Sequence, residues 1–263
     1  MSRISHTFEK LSARGEKALV AFLSAGDPDR ERSMAAIRAL VEGGADVLEL
    51  GVPFSDPTAD GPVIQRASQR ALSAGMTLPG VLSMAGEIRA EFPDLPVVIF
   101  SYYNPILSMD GRFHAEAVAA GADGLLVVDL PVEESDELTG SWDEGLDFIR
   151  LVAPTTPKER MKAICEKASG FVYLVSMTGV TGSEGLKQEV AATCARAVKS
   201  VTGLPLCVGF GVSTPEQAGL LSRAADGVVV GSAFCKMLEQ GAAPDELRDF
   251  AASLKQGMKE SGK

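Results

Sequence analysis

Eight short runs of apolar, β-branched-rich residues recur along this chain, with helical periodicity between them, and this alternation restricts the fold more than any other feature. The runs fall at 18–24, 46–50, 96–101, 124–129, 148–152, 170–176, 205–209 and 227–231. Most are nearly continuous in apolar character, as strands covered on both faces require. Between them, 32–42 carries Met34, Ile37, Leu40 and Val41 at helix-face spacing, and 158–167 carries Met161, Ile164 and Cys165. Segments 188–199 and 215–223 follow the same pattern. Helix-exit signals stand just before strands: Gly43-Gly44-Ala45-Asp46, Gly121-Ala122-Asp123 and Ala224-Ala225-Asp226. Eight β-then-α units predict a closed, parallel (β/α)8 TIM barrel, an α/β fold of one domain over 1–263. The alternative is an open doubly wound sheet, which the lack of a G-x-G-x-x-G after the first strand disfavours. Residues 5–14, ahead of the first strand, predict an extra N-terminal helix that plugs the lower end.

A core of that size needs apolar material, and 46% of the 263 residues supply it. The net charge of −10 disfavours nucleic acid and anionic membrane as partners. An anionic ligand would therefore be held by local donors, not by a general positive field. Cys165, Cys194, Cys207 and Cys235 show no C-x-x-C spacing and read as reduced core thiols. Two distant histidines, His6 and His114, argue against a metal site. No long apolar run and no signal core are present, so the expectation is a soluble, cytoplasmic protein.

Barrel enzymes carry their reacting groups at the carboxyl ends of strands. Glu49 interrupts the apolar run of strand two, on the face shared with Val47 and opposite Leu48 and Leu50. If that face lines the barrel, burial raises its pKa toward neutrality and equips it for proton transfer. The alternative is a glutamate paired with an arginine or bound by backbone N–H groups. The following loop, 53–62, holds Asp56 and Asp60 among three prolines. Asp60 either caps the next helix, expected from Val63, or works beside Glu49 as a second carboxylate. Tyr173 in strand six either hydrogen-bonds substrate or a carboxylate, or packs with its hydroxyl satisfied.

Three late loops read as a phosphate site: Gly179-Val180-Thr181-Gly182, Gly209-Phe210-Gly211-Val212-Ser213 and Gly231-Ser232-Ala233. Glycines admit phosphate oxygens to backbone N–H groups, and a helix N-terminus adds a favourable dipole. Ser213 to Glu216 reads as a capping box, with Pro215 in the first turn. Phosphosugar-like C–C cleavage has three common routes. No strand end carries a Schiff-base lysine, and the histidines disfavour a metal aldolase. Acid–base catalysis by carboxylates remains.

The segment Glu49-Leu-Gly-Val-Pro-Phe-Ser-Asp-Pro-Thr-Ala-Asp-Gly-Pro-Val-Ile-Gln65 resembles the signature of the tryptophan synthase alpha subunit family. The resemblance continues through Asp129-Leu-Pro-Val-Glu-Glu134, Gly179–Gly182, Gly209–Ser213 and Gly231-Ser232. It implies a lyase that splits indole-3-glycerol phosphate into indole and glyceraldehyde 3-phosphate in tryptophan biosynthesis. It implies Glu49 as the acid–base group, Asp60 as the holder of the indole N–H, and Tyr173 beside the glutamate. It places phosphate at Gly182, Gly211, Gly231 and Ser232, and indole among Phe22, Phe100, Tyr102 and Phe210. Met177 departs from the arginine expected in loop six. The resemblance further implies a beta subunit that carries pyridoxal phosphate in an α2β2 heterotetramer, with indole passing between sites through a tunnel. The loop 53–60 would contact that subunit, and no cofactor or metal is expected on this chain. A stand-alone indole-glycerol-phosphate lyase and a non-catalytic partner barrel are the alternatives. The intact Glu49, Asp60 and Tyr173 set disfavours the second.

Overall fold

The computed structural model describes residues 2–140, 142, 145–175, 184–209 and 211–261. The strands are β1 (Ala18–Ser24), β2 (Val47–Gly51), β3 (Val97–Ser101), β4 (Gly124–Val127), β5 (Asp147–Val152), β6 (Val172–Val175), β7 (Leu206–Gly209) and β8 (Gly227–Val230). Each pairs in parallel with its sequence neighbour, and β8 closes on β1 with Ala18 opposite Gly227. That closure rules out the open sheet. All eight predicted strands form, with ends shifted by no more than two residues among those described.

Helix α1 (Arg3–Ala13) precedes β1, as expected. Then α2 (Arg30–Glu42) follows β1, α3 (Pro62–Ser73) and α4 (Leu78–Glu91) follow β2, and α5 (Tyr103–Leu107) and α6 (Phe113–Ala119) follow β3. Next come α7 (Ser135–Thr139) after β4, α8 (Lys158–Glu166) after β5, α9 (Glu184–Lys199) after β6 and α10 (Pro215–Ser222) after β7. Last, α11 (Ser232–Glu239) and α12 (Pro244–Glu260) follow β8.

Period-two alternation splits the core into two layers. Ala18, Val20, Val47, Val98, Leu126, Ile149, Phe171, Cys207 and Val229 fill the barrel interior. Ile4, Phe8 and Leu11 of α1 join this cluster, and Phe8 meets Phe171 at 5.8 Å, so α1 stoppers the amino end of the strands. The other strand face, with Leu19, Leu48, Ile99 and Val228 among others, packs against the helices.

The acidic residues of the helix-exit signals have a second task. Asp46 accepts the Leu19 N–H at 2.7 Å, Asp123 the Val97 N–H at 2.8 Å and Asp226 the Leu206 N–H at 3.0 Å. Ser169, before β6, does the same for Phe148 at 2.7 Å. Each even-numbered strand thus begins by fastening the strand before it through a side-chain acceptor. These bonds satisfy N–H groups at the closed end of the barrel that would otherwise be buried unpaired. Lys255 and Arg89 neutralise Asp46 and Asp123 at 2.6 and 2.5 Å.

One local expectation shifts. The N-cap of α10 is Thr214, not Ser213: Thr214 Oγ1 accepts the Gln217 N–H, while Ser213 N–H donates to Gln217 Oε1. Threonine caps as well as serine does, and Pro215 fits the first helical position only with Thr214 as the cap. All four cysteines are free, but Cys194 is only partly buried, so the core-thiol reading holds for the other three. Among the described residues, no helix is long and apolar enough to cross a membrane.

Candidate active site

Glu49 is buried and shares the face of β2 that carries Val47 into the barrel interior, opposite Leu48 and Leu50, and this puts it inside the barrel. It lies in register with Phe22 on β1 and Val98 on β3. Its exposure is 0%, and neither carboxyl oxygen has a hydrogen-bond partner among the described residues. Among those residues, the arginine-paired and backbone-bound alternatives are therefore absent. Burial alone raises its pKa from 4.5 to about 8. A buried carboxyl without a donor is rare in a settled core.

Above Glu49 the barrel opens into a cavity of about 140 Å³. Phe22, Phe100, Tyr173, Ile64 and Val229 form its apolar wall, while Gly209, Gly211, Val212, Gly231 and Ser232 border its far side. The Phe22 and Phe100 rings meet edge to face at 5.1 Å. A space of this size suits one small aromatic ring. A Cβ on Gly209 would come within 2.4 Å of the Tyr173 hydroxyl, so glycine is what lets that phenol stand in the cavity. Burial, then the charge of Glu49, drives the Tyr173 phenol well above its ordinary pKa, with a smaller push from Asp60. The phenol is thus a fixed neutral donor within the influence of both acids.

The β2–α3 loop takes Asp60 to the same end of the barrel. Gly61 is the N-cap of α3 and makes no side-chain bond, and the helix starts at Pro62, one residue earlier than expected. Asp60 is therefore not the cap. Its Oδ2 instead accepts the Tyr102 hydroxyl at 3.1 Å. Burial raises the Asp60 pKa to about 6, against the lowering effect of that hydrogen bond. The two carboxyls, eleven positions apart, are thus held at different protonation points by their surroundings.

Among the described residues, no arginine or lysine borders the cavity. An anion there would meet backbone N–H groups. Gly231 caps α11 without any side-chain bond, so the first turn of that helix keeps its donors free of a side-chain acceptor. Gly211 has φ +66, a left-handed conformation, and a Cβ there would meet nothing. Among the described residues, no cluster of three or more His, Cys, Asp or Glu side chains is placed to hold a metal.

Of the residues singled out from sequence, Glu49, Tyr173, Phe22, Phe100, Gly211, Gly231 and Ser232 surround one cavity. Asp60 and Tyr102 pair with each other and are not among its lining residues. Gly182, Phe210 and Met177 lie outside the described residues. Sequence reasoning did not single out Ile64 and Val229. Val229 could have been found, since on β8 it shares the inward parity of Gly227 and of Gly231 just beyond the strand. Ile64 could not, because nothing local fixes which way the first turn of α3 faces.

Comparison with known proteins bears on the family and the fold. The family model described as tryptophan synthase alpha chain matches residues 8–262. A tryptophan synthase alpha chain from Desulfatibacillum aliphaticivorans is 60% identical over 242 residues, covering 91% of each chain. The crystal structure of tryptophan synthase subunit alpha from Legionella pneumophila superposes with a TM-score of 0.90 at 40% identity, covering 99% of both chains. A chain of the M. tuberculosis tryptophan synthase crystal structure gives 0.89 at 35% identity, covering 98% of this chain and 99% of that one.

Proposed function

The chain belongs to the tryptophan synthase alpha chain family, lyases that cleave indole-3-glycerol phosphate to indole and glyceraldehyde 3-phosphate, and on that premise we propose that Glu49, Asp60 and Tyr173 carry the reaction here. The observation behind this assignment is the fully buried Glu49 carboxyl, without a hydrogen-bond donor among the described residues, beside a ring-sized cavity.

With a pKa of about 8, Glu49 is protonated at neutral pH. It delivers that proton to indole C3, which moves positive charge onto the ring nitrogen. The carboxylate left behind takes the proton of the glycerol hydroxyl next to the ring. The C–C bond then breaks, its electron pair returns to the ring, and a carbonyl forms on the leaving fragment. Glu49 ends as it began, so one residue serves as acid and then as base. Asp60 is ionised above about pH 6 and accepts the indole N–H, where it stabilises the transient positive charge. Tyr173 keeps its phenol neutral beside Glu49 and presents it to the substrate in the cavity. Phe22, Phe100 and Phe210 enclose the ring. Backbone N–H groups at Gly182, Gly211, Gly231 and Ser232 hold the phosphate, aided by the α11 dipole.

Our reading extends to assembly. The whole chain, 1–263, acts as a single barrel domain. A beta subunit that carries pyridoxal phosphate docks over the strand carboxyl ends, the loop 53–60 included, in an α2β2 complex. Three experiments test these readings. Glu49→Gln is expected to abolish turnover while leaving substrate affinity within a few-fold, and near-normal turnover refutes the proton role. Asp60→Asn should lower kcat by about 10²–10³, the usual effect of removing a charge-stabilising partner. Adding a beta subunit should stimulate cleavage strongly, whereas full activity of the chain alone favours a stand-alone lyase.

A further inference from the structure

We infer that Tyr102 is a positioning residue for Asp60, fixing the place and the charge of that carboxyl through its hydroxyl, and does not act as a wall of the ring pocket. The inference rests on Asp60 serving the indole N–H. Three contacts tie Tyr102 to the β2–α3 loop. The Ala59 N–H donates to Tyr102 Oη at 2.9 Å, Oη donates to Asp60 Oδ2 at 3.1 Å, and the ring packs against Phe54 at 5.2 Å. A phenol has one proton. The Ala59 N–H engages an oxygen lone pair, and the proton is directed at Asp60. The relay therefore has a sense: backbone to phenol to carboxylate.

The placement is rigid at both ends. Tyr102 is 3% exposed and stands between β3 and α5 as the N-cap of that helix. Ser101 Oγ donates to its carbonyl at 2.8 Å. The Asp60 carbonyl accepts the Gln65 side chain at 2.9 Å, and its N–H donates to Pro57 O at 3.0 Å, so backbone bonds hold Asp60 on both sides. Its carboxyl makes no cap bond with α3.

The groups around Asp60 give the phenol its leverage. Tyr102 faces it from the β3–α5 side, with Asp129 beyond it. Tyr173 of β6 and Cys235 of α11 both feel its charge, and Glu49 of β2 faces Tyr173 as well. Asp27 and Arg70 influence Cys235 from behind. For Asp60 itself, burial favours the neutral acid, and the Tyr102 hydrogen bond is what opposes it. Removing the hydroxyl should therefore shift Asp60 toward the neutral form, which cannot balance positive charge on the ring.

The test is Tyr102→Phe, which keeps the ring on Phe54 and deletes only the hydroxyl, with kcat/KM measured from pH 5 to 9. The acid limb should rise by about one pH unit, the size expected for losing a hydrogen bond to a charged group. Activity at pH 6 should fall about fivefold, and the deficit should shrink as pH rises. An acid limb that does not move overturns the inference, since a purely structural loss lowers the profile without displacing it. Asp60→Asn gives the control. If that variant is as active as the parent, the ring-holding role of Asp60 fails. If it is impaired while Tyr102→Phe leaves the limb unmoved, only the positioning role fails. In the double variant, Tyr102→Phe should change activity less than twofold. Should Tyr102→Phe not fold, 3-fluorotyrosine at position 102, a stronger donor, should lower the acid limb, and a limb that stays or rises overturns the inference.

Discussion

Replacing Glu49 by glutamine should make the protein more stable as it makes the enzyme inert. The native carboxyl is moved from 4.5 to about 8 by burial, with no compensating donor among the described residues. A raised native pKa means that the folded state holds the proton more tightly than the unfolded chain does. The contribution of this proton to stability is complete below the unfolded value and is lost as pH climbs through the native one. At pH 7 the unfolded carboxyl is ionised and the native one is still mostly neutral. The interval that counts runs from 4.5 to 7, about 2.5 units, which at about 1.4 kcal/mol each costs the native state about 3 kcal/mol. Above pH 8 the full interval of about 3.5 units applies, and the cost levels off near 5 kcal/mol. Glutamine has nearly the same shape and does not titrate, so it escapes this cost. Urea unfolding of the parent and Glu49→Gln should give near-equal stabilities at pH 5 and a gap of about 3 kcal/mol at pH 7, widening to pH 8. At pH 7 this corresponds to a rise in Tm of about 6–12 °C for a chain of this size. A gap independent of pH, or a less stable variant, would mean that native Glu49 is solvated or paired, and the acid–base argument would lose its physical basis.

Other consequences are sharper in direction than in size. The kcat/KM profile should be bell-shaped, rising near pH 6 as Asp60 ionises and falling near pH 8 as Glu49 loses its proton, and a flat profile between 5 and 9 refutes the assignment. Ser232→Asp puts a carboxylate in the first turn of α11, where the helix dipole favours it by about 0.3–1 kcal/mol, while the same charge repels substrate phosphate. Tm should hold or rise as KM increases tenfold or more; an unchanged KM takes the phosphate away from this helix. Arg70→Ala strands Asp27, which is 0% exposed and is bound by Arg70 through two bonds of 2.7 and 2.9 Å. Unfolding measurements should find a loss of about 3 kcal/mol, against a much smaller loss for Arg66→Ala, whose own side chain is half exposed and whose partner Glu239 keeps its bond to Arg70.

What the sequence discloses and what it hides divide along a physical line. Period-two and period-3.6 patterns are local, so β1 to β8 and the major helices can be read from the chain. Glu49 is legible for the same reason: a lone carboxylate on the inward parity of an apolar strand contradicts its surroundings. Interactions set by closure are not legible. Asp46, Asp123 and Asp226 read as helix-exit residues, yet each reaches a strand start that only the barrel register brings near. The Tyr102–Asp60 bond spans 42 positions and the Arg70–Glu239 bond 169. Asp60 could not be told from a helix cap by spacing, because a cap needs Asp at the residue that leads into the helix, and a one-residue difference decides it. The same one-residue ambiguity separates Ser213 from Thr214. The cap of a helix depends on where φ and ψ change, which residue type constrains only loosely.

The two acids owe their division of labour to wetness and donors, not to chemical identity. In solution an aspartic and a glutamic side chain differ by less than about one pKa unit. Here the order is set by the barrel: Glu49 sits among Phe22, Val98 and Phe100 with no donor among the described residues, while Asp60 lies partly exposed beneath a phenol. This restricts how the site can be improved. A donor brought to Glu49 would relieve its burial cost and stabilise the fold, but it would also favour the carboxylate and remove the proton needed at indole C3. A donor removed from Asp60 acts in the opposite sense and neutralises the charge the ring needs. The pH range in which one acid is protonated and the other is not, roughly two units wide, is therefore held open by burial at Glu49, where no described residue donates, and by the Tyr102 hydrogen bond at Asp60. Stability and turnover cannot both be optimised at Glu49, since the burial that costs the fold is what keeps it protonated at neutral pH.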